Sequence, residues 1–326
     1  MLKLSRNIIQ IISRNSNWKA ESIKDELDSK VYIQGHEWQK MIYYLLITLG
    51  VSFTVSGIIF FFAFNWDDMP KFVKFGLIEA LIIACVVVIL KVNLDKTIKK
   101  IILSGAALLV GALFAVFGQV YQTGADSYSL FLIWAVCILI WTIIGNFAPL
   151  WLIFLVLLDI TISLYFSQMG DSWFLSLVSV FLVNVLLAVV VEVLSLKKKI
   201  KRPAWLLNIA VLTAIIYISL GIIDIVFTYF MRSGRSSIEW EPMLCLAVGV
   251  PGLVVGGLYG FKSRNLFYVS SIGLSFLVII AFCLLSVMKN IGDSAAFFLV
   301  SVYAIFATIG LVKVIIYLNS TWNEME

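Results

Sequence analysis

The sequence predicts an all-α, polytopic transmembrane helical bundle of about ten spans, preceded by a short cytoplasmic N-terminal helical segment. Three observations carry this expectation. The first is composition: 62% of the 326 residues are hydrophobic and 13% are charged, whereas a water-soluble chain is roughly a quarter charged and about half apolar. Such a chain lacks the polar groups to cover a soluble surface, and hydrocarbon is the solvent in which apolar surface carries no penalty. The second is the length of the apolar runs, each near the ~20 residues a helix needs to cross about 30 Å of hydrocarbon. The third is the placement of Lys and Arg between those runs.

The spans are read at 41–64, 72–90, 101–120, 128–145, 149–166, 173–195, 204–230, 242–260, 266–287 and 294–318. The break between the fourth and fifth rests on Gly145, Asn146 and Pro149, a polar turn and a proline that interrupt one apolar run. A kink there in place of a break would give nine spans. With the N-terminus in the cytoplasm, 18 Lys and Arg fall on inner segments, against five on outer ones: Lys71, Lys74, Arg232, Arg235 and Lys289. In a bacterial inner membrane, the location expected here, that bias places both termini in the cytoplasm. A nine-span count would turn the Lys197–Arg202 cluster outward.

The chain accordingly divides into 1–40, a cytoplasmic amphipathic helical segment; 41–145, four spans with two distinctive loops; 146–318, further spans; and 319–326, a cytoplasmic tail. In the first segment Leu4, Ile8, Ile11 and Ile12 fall near one face of a first helix, and Trp18, Ile23, Leu27 and Val31 near one face of a second. Such a segment lies on the inner leaflet or serves as a docking arm. No cleavable signal peptide is expected, because the first 40 residues are polar and the run from Met41 is too long for a signal h-region.

Composition also excludes. The net charge of +5 comes from loop clusters, not from a basic stripe with interleaved aromatics, so nucleic acid is not an expected partner. Cys85, Cys137, Cys245 and Cys283 all lie inside apolar runs, where a thiol packs as a small hydrophobe. The single histidine, His36, precedes the first span and reads as a solvated juxtamembrane residue, so a histidine-rich metal site is excluded. No cofactor motif appears, nor HExxH, GxSxG or a P-loop. Asp67, Asp126 and Glu79 are the set that would supply paired carboxylates for acid–base work or a divalent cation.

Several spans carry unusual residues. The eighth holds Gly249, Pro251, Gly252, Gly256, Gly257 and Gly260. Its Gly252–Gly256–Gly260 repeat is a ridge for close helix approach, and the proline with glycine is also the composition of a broken transporter helix. The third span offers a second ridge at Ala107, Gly111 and Ala115. Ionisable residues inside spans are functional candidates by default. Glu79, Asp159 and Asp224 fall roughly 8–12 Å below the outer surface at 1.5 Å per residue. They would line one outward pocket or be satisfied separately, with Gln168, Arg232, Lys71 and Lys74 as available partners. Glu192, Lys91 and Lys313 lie near inner ends and are expected to snorkel.

Two outer loops stand out. One runs Asn65-Trp66-Asp67-Asp68-Met69-Pro70-Lys71-Phe72-Val73-Lys74-Phe75; the other runs Gly118-Gln119-Val120-Tyr121-Gln122-Thr123-Gly124-Ala125-Asp126-Ser127-Tyr128 and leads to Phe131 and Trp134. Asp68 is placed to cap the second span with Pro70 in its first turn, and Asp126 or Ser127 to cap the fourth. Gly124 supplies a turn conformation closed to other residues. Trp66, Tyr121, Tyr128 and Trp134 suit the interfacial aromatic belt. Capping leaves Asp67, Gln119 and Gln122 unexplained. The two glutamines are three apart, on one helical face at the end of an apolar span, and would suit a polar ligand such as a sugar or an amide.

On these residues the chain resembles the bacterial predicted membrane proteins catalogued as domain of unknown function 2157. The resemblance covers roughly residues 1–150, and the remainder is similar only as further apolar spans. It implies a membrane protein, often accompanied by another membrane or envelope protein, and implies no specific activity.

The expected function is a non-enzymatic envelope module that binds a partner or polar ligand at its outer face, alongside its contact with the lipid bilayer. The candidate residues are Asn65, Trp66, Asp67, Glu79, Gln119, Tyr121, Gln122, Asp126, Asp159 and Asp224. The alternative is a small-molecule transporter, since ten spans divide as 5 + 5. Against it, spans 41–166 and 173–318 show no convincing similarity.

Overall fold

The computed structural model describes residues 9, 12–17, 19, 21–24, 27, 35–65, 69–122, 124, 126–170, 172–197, 203–228, 240–288 and 293–324. Among these, ten helices are long and apolar enough to cross a membrane. They are α1 (Gly35–Phe64), α2 (Lys71–Lys91), α3 (Lys96–Tyr121), α4 (Ser127–Gly145), α5 (Ala148–Tyr165), α6 (Trp173–Leu196), α7 (Ala204–Val226), α8 (Trp240–Lys262), α9 (Leu266–Val287) and α10 (Asp293–Glu324). The amphipathic pattern proposed for 1–40 and the basic cluster 198–202 fall largely outside the described residues.

The fourth and fifth spans are separate helices. Asn146 ends α4 in the left-handed region (φ 40°) and donates its N–H to Thr142 O, while Pro149 stands in the first turn of α5. The last helix continues to Glu324, past the expected span end at 318, so most of the proposed tail is helical. α8 runs unbroken through Pro251, which removes the broken-helix reading of that span.

The chain forms two compact units, Met1–Tyr121 and Gln122–Glu326. In the first, α3 packs against both α1 and α2. Lipid tails are as apolar as leucine, so helix association depends on close approach and not on water exclusion. The residues that allow it are Gly105, Ala106, Ala107 and Gly111, all buried on α3. A methyl on Gly105 would come 2.6 Å from Val51 Cγ1 on α1. The ridge therefore starts earlier than the expected Ala107–Gly111–Ala115, and Ala115 is exposed. On the α2 side, Phe62, Ile78 and Val116 form a small core.

Asp95 fixes the start of α3. Its Oδ1 accepts from Thr97 N–H at 2.7 Å and its carbonyl accepts from Lys99 N–H at 3.0 Å. The Thr97 N–H holds the Asp95 carboxyl below the usual carboxylate range, with smaller help from Tyr44 and Lys40 on α1.

The second unit is built around α7, half of whose span is buried. Ile215, Ile218, Ile222 and Ile225 of α7 meet Val178 and Phe181 of α6, Cys245 and Leu253 of α8, and Ile272 and Ile279 of α9. The α8 glycines serve several neighbours. A methyl on Gly249 would lie 2.5 Å from Ile218 on α7, one on Gly252 2.5 Å from Phe181 on α6, and one on Gly256 3.1 Å from Ile272 on α9. The Gly252–Gly256–Gly260 repeat thus meets two helices, not one.

Candidate functional site

In the first unit, Asn65 ends α1 and spends its side chain locally, Nδ2 donating to Phe61 O at 2.9 Å. Trp66, Asp67 and the expected cap Asp68 lie outside the described residues. The capping arrangement differs from expectation in one respect: Pro70 occupies the cap position itself, and α2 begins at Lys71. Glu79 is exposed on α2, whereas Lys74 and Ile78 of the same helix are buried. At the end of α3, Gln119 is exposed, and Tyr121 stacks on Phe75 with centroids 5.8 Å apart and packs on Phe117 at 4.8 Å.

The second unit opens with Gln122, which has left the helix in the left-handed region (φ 43°), a conformation costly for a residue with a Cβ. The expected pairing of Gln119 and Gln122 on one helical face is therefore overturned. Gly124 (φ 60°) supplies the positive φ expected of it. Asp126 holds the N-cap position of α4, but its exposed carboxylate makes no cap hydrogen bond. Ser129 N–H is bound instead by the Asp126 carbonyl at 3.0 Å.

The two remaining candidate carboxylates of the second unit differ in setting. Asp159, on α5, is 8% exposed and accepts from Asn184 Nδ2 on α6 at 2.8 Å. Asp224 is half-buried near the end of α7. Asp159 thus has its own partner on α6. Gln168, a suggested carboxylate partner, instead accepts from Tyr128 N–H at 3.3 Å.

Sequence reasoning did not single out several polar contacts of this unit. Ser172 caps α6, accepting from Leu175 N–H at 3.3 Å, and donates to Glu241 Oε2 on α8 at 2.6 Å. Ser219 on α7 and Ser275 on α9 share a hydrogen bond of 2.6 Å. Glu192, expected to snorkel, accepts from Tyr259 on α8 at 2.9 Å. Asn184 is fully buried between Val180 and Asp159. A polar residue in the middle of an apolar span was the available signal for Asn184, since such residues find partners on neighbouring helices.

Among the described residues no group of three or more His, Cys, Asp or Glu is placed to hold a metal ion. The arrangement supplies an exposed amide, Gln122, and an exposed carboxylate, Asp126, on one turn, and polar contacts within an apolar interior.

The helices and their apolar exteriors define a polytopic α-helical integral membrane protein. Within that class, residues 17–151 match the family model described as "Predicted membrane protein (DUF2157)", the stretch that carries both motif loops. No curated protein matches the chain, and no solved structure matches it.

Proposed function

We propose that the protein is a non-enzymatic module of a bacterial inner membrane that binds an envelope partner or polar ligand at its outer face. The orientation belongs to this reading, with both termini cytoplasmic and the 119–126 turn outside. The observation that carries it is that the turn's polar side chains are left over after folding. Gln119, Gln122 and Asp126 are exposed, and Asp126 occupies a cap position without using its carboxylate to cap. The strained φ of Gln122 is a second support, since backbone held in sparsely populated regions concentrates at functional sites.

A photo-reactive residue in place of Tyr121 tests this. The expected result is a discrete adduct in cells that is lost in Gln122→Ala or Asp126→Ala while membrane insertion is kept. An adduct pattern unchanged by both substitutions removes the reading. Impermeant thiol labelling of single cysteines at 122 and 199 should mark opposite sides of the membrane.

A second reading, transport of a small molecule, is favoured by one observation: Asp159 and Asn184 form a buried polar pair inside the second unit. Flux in proteoliposomes abolished by Asp159→Asn supports it, and flux indifferent to that change removes it.

A further inference from the structure

We propose that Asp159 and Asn184 form an intramembrane proton-binding site, in which the Asp159 carboxyl is held protonated against the Asn184 carboxamide. The inference rests on neither functional reading above.

Asp159 lies on α5 and Asn184 on α6, two helices packed together within the second unit. Asp159 is eleven residues past Ala148, the first of α5, about 16 Å along the helix. At such depth an anion is tolerated only with a counter-charge or a proton. Among the described residues of the segments packed against α5, no counter-charge is at hand. The helices packed against α5 are α4, α6 and α7, followed by the π-helical turn Phe166–Gly170, and none of these segments, nor α5 itself, contains a Lys, Arg or His. Their titratable residues are Tyr128 and Cys137 on α4, Tyr165 on α5, Glu192 on α6, and Tyr217 and Asp224 on α7. Cys137 is exposed, the rings of Tyr128 and Tyr165 pair with each other at 5.3 Å, and Glu192 is bound by Tyr259. The hydrogen bond made to Asp159 comes from a neutral amide.

The amide supplies the second argument. Asn184 Nδ2 donates to Asp159 Oδ1 at 2.8 Å and to Val180 O at 3.0 Å. Both partners are acceptors, so the nitrogen must be the atom that faces them. The other end of the amide, Oδ1, is buried without a hydrogen-bond donor among the described residues. A buried acceptor lacking a donor is unfavourable. A proton on Asp159 Oδ2 resolves both problems together. It removes the charge, and its O–H is a donor for Asn184 Oδ1, closing a cyclic acid–amide pair with the existing Nδ2–H···Oδ1 bond. The proton is taken up from water and returned to water, and no other bond changes.

Ser163 extends the polar locus. It lies one turn from Asp159 toward the Gln168 end of the helix, and its buried Oγ also has no hydrogen-bond partner among the described residues. A hydroxyl both donates and accepts, which suits it to pass a proton between Asp159 and that end.

Infrared difference spectra of the full-length protein in liposomes, recorded across pH, test the proposal. The expected result is a protonated-carboxyl C=O band that persists at neutral pH. It is lost in Asp159→Asn and retained in Asp224→Asn and Glu79→Gln. In Asn184→Leu the acid stays protonated but loses its amide partner, so the band shifts to higher frequency. Spectra in which the wild type and Asp159→Asn carry the same bands overturn the proposal. A band that Asn184→Leu leaves unmoved overturns the acid–amide pairing. Should Asp159→Asn fail to insert, the Asn184→Leu shift decides alone.

Discussion

The two units of the molecule differ in the polar residues they bury, a lysine, Lys74, in the first and mutually bonded polar side chains in the second. In Met1–Tyr121, which carries most of the family match, the conspicuous polar side chains Glu79 and Gln119 are exposed, while the packed interface is made of Gly105, Ala106, Ala107, Ile78 and Val116. In Gln122–Glu326, much of which lies beyond the match, polar atoms sit inside: Asp159 with Asn184, Ser219 with Ser275, and Ser172 with Glu241. The difference teaches that the polar residues of the Gly118–Tyr128 motif mark a surface here, whereas an inconspicuous residue in an apolar run marks an interior contact. A motif turn is visible because several polar residues stand together in the chain. An interior pair is hidden because its members are far apart in sequence, as with Ser219 and Ser275.

The comparison is broken most forcefully at glycine. A methyl on Gly249 would lie 2.5 Å from Ile218 Cγ1, in the tight core of the second unit, whereas one on Gly57 of α1 meets nothing within 4 Å. Gly249→Ala is expected to destabilise the protein by about 1–3 kcal/mol through overpacking. Gly57→Ala is expected to be neutral or to stabilise by about 0.5–1 kcal/mol, the helix preference of Ala over Gly. Thermal unfolding in detergent measures both. Equal effects at the two sites would mean that the second unit's core is no tighter than the open face of α1.

Much of the fold was legible because it depends on run length and local breakers. Ten apolar stretches gave ten helices, and Asn146 with Pro149 marked the fourth–fifth break that the structure shows as a left-handed cap and a proline in the next first turn. Gly124 was legible for the same local reason. Helix ends and partner choice were less so. Gln122 left the helix although its neighbours Gln119 and Tyr121 stayed in it, because termination depends on the backbone of the turn and not on side-chain type. The α8 glycines read as one ridge, yet Gly252 meets Phe181 on α6 and Gly256 meets Ile272 on α9. Spacing shows that a helix can be approached closely, but not by which neighbour. Asp159 is conspicuous from its charge alone. Asn184, its partner 25 residues on, is not, because an uncharged amide stands out less in an apolar span.

A smaller effect sharpens the comparison at the hydroxyls. Ser219 and Ser275 join α7 to α9, while Ser52 on α1 returns its hydroxyl to Thr48 O of its own helix at 2.8 Å. A double-mutant cycle with Ser219→Ala and Ser275→Ala is expected to give a coupling of about 0.6 kcal/mol, the average for hydrogen bonds between membrane helices. Ser52→Ala, which breaks no contact between helices, is expected to leave unfolding unchanged. A coupling of zero would show that the second unit's buried polar pair adds nothing to the association of its helices.

The smallest effect lies at the edge of the first unit, in water, where Asp95 starts α3. Its carboxyl is held below the usual range chiefly by the Thr97 N–H, a bond that the charged carboxylate accepts more strongly than the neutral acid. A lowered folded-state pKa means the stabilisation is fully present above the ordinary Asp value of about 3.9 and is lost as pH falls through the lower folded value. Acidification below the ordinary value should therefore loosen the first turn of α3 and leave the Asn265 cap of α9 intact. Asn265 accepts from Phe267 N–H at 3.1 Å through an amide oxygen that does not titrate. Amide hydrogen exchange at Thr97 and Phe267, compared between neutral and acid pH after correction for intrinsic rates, reads the difference directly. Protection at Thr97 should fall with acid in the wild type and be pH-independent in Asp95→Asn. Equal acid sensitivity at the two caps would mean that the carboxylate does not hold the α3 start, and that the lowered pKa has no structural consequence.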